Sequence, residues 1–119
     1  MKILQINTSI FGPGGQSTQL AERFVAGLGG QVTVRDLARD PIPHIDAERF
    51  GAFIAKPEAR TPQQQAAVEF SDHLIGELRE ADTIVIALPM YNFGAPSTLR
   101  AYFDQIGRAG VTFKPEESA

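Results

Sequence analysis

Two stretches concentrate the groups that could do chemistry. The first is Thr8-Ser9-Ile10-Phe11-Gly12-Pro13-Gly14-Gly15-Gln16-Ser17-Thr18. A glycine-rich loop that feeds a helix leaves backbone N–H groups unpaired beside the positive end of the helix dipole, which suits an anion. Ser9, Ser17 and Thr18 add hydroxyl donors. No Gly-Lys-Ser/Thr occurs, so the P-loop with its phosphate lysine is excluded. Gly12-x-Gly14-x-x-Ser17, with Asp36 placed as a ribose-binding acid would be, approaches a dinucleotide fingerprint. Yet its third glycine is Ser17, and its first does not sit at the strand end. A single phosphomonoester held by hydroxyls and backbone fits better. The plain alternative is a flexible strand-to-helix loop with a serine N-cap.

The second stretch is Leu88-Pro89-Met90-Tyr91-Asn92-Phe93-Gly94-Ala95-Pro96-Ser97. Two prolines and a glycine stiffen it. It offers an aromatic, an amide, a thioether and free backbone N–H groups, and no Lys, Arg, Asp, Glu, His or Cys. Those groups suit a flat, hydrogen-bonding ring and neither a phosphate nor a metal. The plain alternative is a stiff loop whose Met90, Tyr91 and Phe93 cap the core. Elsewhere the chain offers less. It has no cysteine, which excludes disulfides, thiolate catalysis and thiolate metal sites. His44 and His73 lack any ligand-like partner spacing, and His73 is expected to face solvent. Asp104 with Arg108, and Glu77 with Glu80, read as solvated helix faces.

The elements that must position these loops are well signalled. Lys2 to Asn7 reads as a short strand. Ser17-Thr18 opens a helix to about Leu28, with Leu20, Phe24 and Leu28 at four-residue spacing on one face. Gly29-Gly30 stops it. Gln31 to Arg35 is β-branched and alternating, a second strand. Asp36 to Arg60 is broken by prolines, and Asp46 is placed to cap one or two turns reaching Ile54. Thr61-Pro62-Gln63-Gln64 combines an N-cap, a first-turn proline and a capping-box glutamine, so a helix runs to about Glu80 with Ala67, Phe70, Leu74 and Leu78 inward. Thr83 to Leu88 is a buried strand. The last helix, Thr98 to about Arg108, turns Leu99, Tyr102, Phe103 and Ile106 to the core. Val111 to Phe113 is a short apolar piece.

Strand and helix in strict alternation predict an α/β, doubly wound parallel sheet with helices on both faces. In the order 2-1-3-4-5 the first and third strands are neighbours, and ligands bind at the carboxyl ends where the order reverses. Both loops then emerge together, a phosphate site beside a flat-ring site. That pairing describes FMN. Three strands are present of an expected five, so the third would be an open apolar edge, and further strands or another chain are expected to cover it. The 119 residues suffice for one core. Net charge is −3 with no basic patch, which argues against nucleic acid and anionic membrane as partners. No run approaches the ~20 apolar residues of a membrane span. The N-terminus enters a strand with no signal-peptide block, and the lack of cysteine is compatible with the cytoplasm.

These residues resemble the FMN-dependent NADH-azoreductases, flavodoxin-like NAD(P)H:quinone reductases. The likeness runs nearly end to end. It includes Ser9, Gln16 and Ser17, then Val34-Arg35-Asp36-Leu37, Pro41-Ile42-Pro43 and Thr61-Pro62. It continues through Pro89-Met90-Tyr91-Asn92-Phe93 and Ala109-Gly110-Val111-Thr112-Phe113. The resemblance implies that Ser9 and Gly15-Gln16-Ser17 hold the FMN phosphate, and that Met90, Tyr91, Asn92 and Phe93 pack on and hydrogen-bond to the rest of the flavin. It implies a homodimer with the flavin near the interface. It also implies hydride transfer from NADH or NADPH through FMN to a quinone or azo compound, in a ping-pong, two-electron reaction with no catalytic side chain beyond the flavin's own chemistry. Family chains continue past Val-Thr-Phe into two more strands and another helix, and carry a Ser-Arg-Gly-Gly-like loop that is not found here. Residues 1–119 therefore read as one flavodoxin-like domain lacking its C-terminal strands. A non-catalytic flavodoxin-like binding module, or an inactive fragment, is the alternative expectation.

Overall fold

The computed structural model describes residues 1–89 and 96–114. Three parallel strands, β1 (Lys2–Asn7), β2 (Gln31–Asp36) and β3 (Thr83–Ala87), form a sheet in the order β2-β1-β3. Ile3 pairs with Val32 on one side and with Thr83 on the other, and from Ile3 to Asn7 every residue of β1 has neighbours on both edges. Four helices connect and flank the strands: α1 (Gln16–Leu28), α2 (Ala47–Ile54), α3 (Pro62–Glu80) and α4 (Ser97–Ile106). The crossover from β1 to β2 and the crossover from β2 past β1 to β3 run in opposite directions across the sheet. Right-handed connections then place α1 on one face and α3 on the other. The expected α/β doubly wound fold is present, with the expected strand order.

The local signals explain most of the boundaries. Gly29 ends α1 in the left-handed conformation, with φ at 69°, where glycine alone carries no Cβ penalty. The Asp46 side chain caps α2 by accepting from the Arg49 N–H at 2.8 Å. Thr61 and Gln64 form the reciprocal capping box of α3, at 3.1 and 2.9 Å, with Pro62 at its first position.

The core lies between the sheet and α3/α4. Leu4 and Ile6 of β1 meet Leu37, Ile42, Leu74, Leu99 and Tyr102, with Phe70, Leu78 and Ile106 packed around them. Three expectations change here. On α1 the buried residues are Thr18, Ala21 and Val25, whereas Leu20 is 67% exposed and Phe24 59% exposed. The four-residue spacing was real, but that stripe faces away from β1, where only small or branched side chains fit close to the strands. Phe103 also points outward from α4.

The third change concerns charge. Glu77 is not a free surface carboxylate, because Arg35 of β2 binds both its oxygens at 3.0 and 2.7 Å. Arg108 is only 8% exposed. Its guanidinium donates to Asp72 and to Ser71 Oγ of α3, and lies 5.0 Å over the Phe53 ring of α2. Its carbonyl accepts from the N–H groups of Val111 and Thr112, so the short apolar piece lies within a tight turn over 109–113. Gln105, fully buried, donates to the Pro43 carbonyl at 2.7 Å. These two side chains tie the proline-broken segment onto α3 and α4.

Candidate functional site

The β1–α1 loop starts in the sheet and is fixed before it reaches the surface. Asn7, Thr8 and Ser9 are all buried. Thr8 Oγ1 donates to the Ala87 carbonyl at 2.8 Å, which joins the ends of β1 and β3. The chain then folds into a short 3-10 turn, Gly12–Gly14, with the Gly12 N–H bonded to the Ser9 carbonyl and the Gly15 N–H to the Gly12 carbonyl. Ser9 Oγ accepts from the Phe11 N–H at 3.2 Å. Gly15 presses on this turn. A Cβ there would stand 2.4 Å from Ser9 Oγ, so only glycine lets the Ser9 side chain sit against this backbone.

Gly15 is also the N-cap of α1, and it provides no side-chain cap. The Ser17 hydroxyl therefore does not cap the helix, contrary to the plain reading of the loop. Its oxygen is buried and has no hydrogen-bond partner, as is that of Thr18. The first-turn N–H groups of Gln16, Ser17 and Thr18 have no acceptor within the helix. Unmatched buried hydroxyls carry a desolvation cost of about 1–3 kcal/mol unless a partner arrives.

Ser9, Gln16 and Ser17 line a cleft of about 720 Å³ together with Phe11, Gln19, Leu20, Arg23, Leu88 and Pro89. Four of the eight expected site residues, Ser9, Gly15, Gln16 and Ser17, thus meet at one helix N-terminus, three of them in the cleft wall. The other four, Met90, Tyr91, Asn92 and Phe93, lie outside the described residues. The described approach to them, Leu88 and Pro89, does enter the same cleft. Phe11, Leu20 and Arg23 were not anticipated. The period of the helix, counted from Gln16 through Gln19 and Leu20 to Arg23, contained the signal, but assigning Leu20 to the core concealed it.

Asp36 does not line the cleft. Its Oδ1 accepts from the N–H groups of Ala38 and Arg39, both at 3.1 Å, and builds its own turn. His44 is exposed and outside the cleft, and His73 faces solvent as expected. A hollow of about 510 Å³ between α2 and α3 contains none of the expected residues. Among the described residues no cluster of three or more His, Cys, Asp or Glu could hold a metal, and no helix is long and apolar enough to cross a membrane.

The hydroxyl-lined cleft thus opens at the first β–α turn of a β2-β1-β3 sheet. The family model described as "Flavodoxin-like fold" matches residues 1–119. The chain belongs to the flavodoxin-like fold family. It is 51% identical to an FMN-dependent NADH:quinone oxidoreductase of Cellvibrio japonicus (strain Ueda107), over 98% of this chain and 61% of that protein. A protein of the same name from Yersinia pestis (strain Pestoides F) is also 51% identical, over 98% and 60%. Among solved structures, the azoreductase from Bacillus anthracis str. Sterne superposes with a TM-score of 0.83 at 24% identity, over 98% of this chain and 60% of that one. The FMN-dependent NADH-azoreductase from Bacillus anthracis str. Ames Ancestor, in complex with FMN, gives 0.78 at 27% identity, over 96% and 59%. The chain therefore spans about three fifths of the length of the flavodoxin-like relatives it matches.

Proposed function

We propose that residues 1–119 form the FMN-phosphate half of an FMN-dependent oxidoreductase that passes two electrons from NADH to a quinone or an azo compound. The observation that carries this reading is the buried, unpartnered Ser17 hydroxyl at the first turn of α1, beside Ser9 and Gln16 in one cleft. The donor set fits a flavin phosphate. It is composed of hydroxyls and backbone N–H groups, with Gly15 letting the Ser9 side chain sit close against the turn. Ser9, Gly15, Gln16 and Ser17 would hold the phosphate, and Met90, Tyr91, Asn92 and Phe93 would hold the ribityl and ring. When bound, FMN would supply the two-electron carrier between reductant and acceptor.

The chain's own contribution is to bind and orient. Phe11, Leu20 and Leu88 give the cleft apolar walls that would shield the bound group from water. The names of the relatives support NADH as reductant and quinone or azo compounds as acceptors. The same reading makes the protein a cytoplasmic homodimer whose flavin lies near the interface, with no nucleic acid or membrane partner. A non-catalytic binding module is the second reading, favoured by the unpaired edge of β3 and its exposed Ile84 and Ile86.

Flavin titration followed by visible absorbance separates the two. The chain is expected to bind FMN and perturb its spectrum. Ser17→Ala should weaken FMN by about tenfold, the worth of one hydrogen bond to a charged group, and leave riboflavin, which has no phosphate, unaffected. Gly15→Ala should weaken FMN as well, whereas Gly14→Ala, with open space around its Cβ, should not. An unperturbed flavin spectrum with the unmodified chain would favour the binding module.

A further inference from the structure

The cleft wall contains one charge that the phosphate cradle does not use. Gln16, Gln19, Leu20 and Arg23 share one face of α1, and of the described residues lining the cleft Arg23 alone is charged. Arg23 is exposed and makes no ion pair among the described residues. The loop partner Leu88-Pro89 is neutral, and so by sequence are residues 90–95. Six residues of helix place Arg23 about 9 Å along the axis from Ser17, too far for a direct grip by its backbone position yet within one Debye length at low salt. The chain as a whole works against an anion, with a formal net charge of −3 that already includes Arg23.

Resting on the FMN reading above, we infer that Arg23 is an electrostatic steering residue. It raises the rate at which a phosphorylated flavin, in contrast to the neutral riboflavin, enters the cleft. A cleft lined by a single sign of charge focuses the local field even when the net charge opposes it. A unit charge about 10 Å from a dianion in water changes the encounter rate by about threefold at ~0.01 M ionic strength and by about 1.5-fold at ~0.15 M, where screening takes over. The hydroxyls and N–H groups of the cradle set the dissociation rate, so Arg23 leaves that rate alone.

Stopped-flow mixing of FMN or riboflavin with the 119-residue chain, read by flavin fluorescence at low and at near-physiological ionic strength, tests this directly. Arg23→Gln is expected to slow FMN association about threefold at low salt, with dissociation and riboflavin association unchanged. Arg23→Lys should restore the rate. Lys56→Gln, which removes the same formal charge outside the cleft, should have no comparable effect. An unchanged FMN association rate in Arg23→Gln overturns the inference. So does an equal slowing of riboflavin, or an equal effect from Lys56→Gln. If the unmodified chain binds neither flavin, the FMN reading fails and the inference falls with it; FMN binding with no Arg23 effect sinks the inference alone.

Discussion

Individual side chains in this protein are decided by whether their polar atoms find partners. Ser17 and Tyr102 both have buried oxygens without one, and they call for opposite interpretations. Ser17 sits at a helix N-terminus in an open cleft, where an incoming anion would complete it. Tyr102 is fully buried among Leu4, Ile6, Leu37, Leu74 and Leu99, where nothing can arrive. Burial pushes its phenol up from 10.0 to about 12, with the Glu77 carboxylate adding to the rise and Arg35 opposing it. The folded-state value is above the unfolded one, so the contribution to stability is complete below pH 10 and is lost as pH climbs toward 12. Tyr102→Phe should remove that part of the alkaline loss in urea unfolding run at a series of pH values. Near neutral pH it should change stability by less than about 1 kcal/mol, since the lost hydroxyl has no partner to abandon. A cost of several kcal/mol at neutral pH would show that the hydroxyl is bonded after all.

At the scale of elements, the proline-broken segment between β2 and α3 is the part that local propensity explains least. Pro41, Pro43 and Pro57 prevent it from forming one long helix, and α2 is only eight residues long. Such a helix is marginal without tertiary support. Gln105 reaching Pro43 and Arg108 reaching Phe53, Ser71 and Asp72 provide that support from α4 and the residue beyond it. Arg108→Met should lower unfolding stability by about 1–3 kcal/mol, through the lost bonds to Ser71 and Asp72 and the lost contact with Phe53. Asp104→Asn, on the exposed face of α4, should stay within about 0.5 kcal/mol. Equal effects of the two in chemical denaturation would mean that Arg108 behaves as a surface charge.

For the whole molecule, the dominant feature is apolar surface that three strands cannot cover. Among the described residues β3 pairs only with β1, and Ile84 and Ile86 are 44% and 41% exposed. Leu20 and Phe24 add to this on the other face of the sheet. An open strand edge beside exposed branched residues is a template for association. The chain is expected to gain mass with concentration in light scattering. Replacing Ile84 and Ile86 together by Thr, which keeps β-propensity and removes apolar area, should suppress that gain with a loss of stability under about 2 kcal/mol. Undiminished association would place the contact elsewhere, with the α1 stripe as the next surface to change.

Strand identity, helix caps and the anion loop were legible in the amino-acid sequence because their causes are local. Val32 and Val34 in alternation, Thr61 with Gln64, Gly29 after Leu28 and the Ser9 to Ser17 loop each act through neighbours a few residues away. Family membership was legible for the same reason, since short runs in a fixed order carry it. What only the tertiary structure decided depends on distance in space. Leu20 and Phe24 carry the periodicity of a buried face, but Ala21 and Val25 are the residues that fit against the strands. Arg108 and Glu77 look like surface charges until Asp72 and Arg35 are brought to them from elsewhere in the chain. Arg23 belongs to the cleft only because the turn of α1 carries it round to the side that faces Leu88. Periodicity says that a helix has faces; the packing of the sheet decides which face is inside.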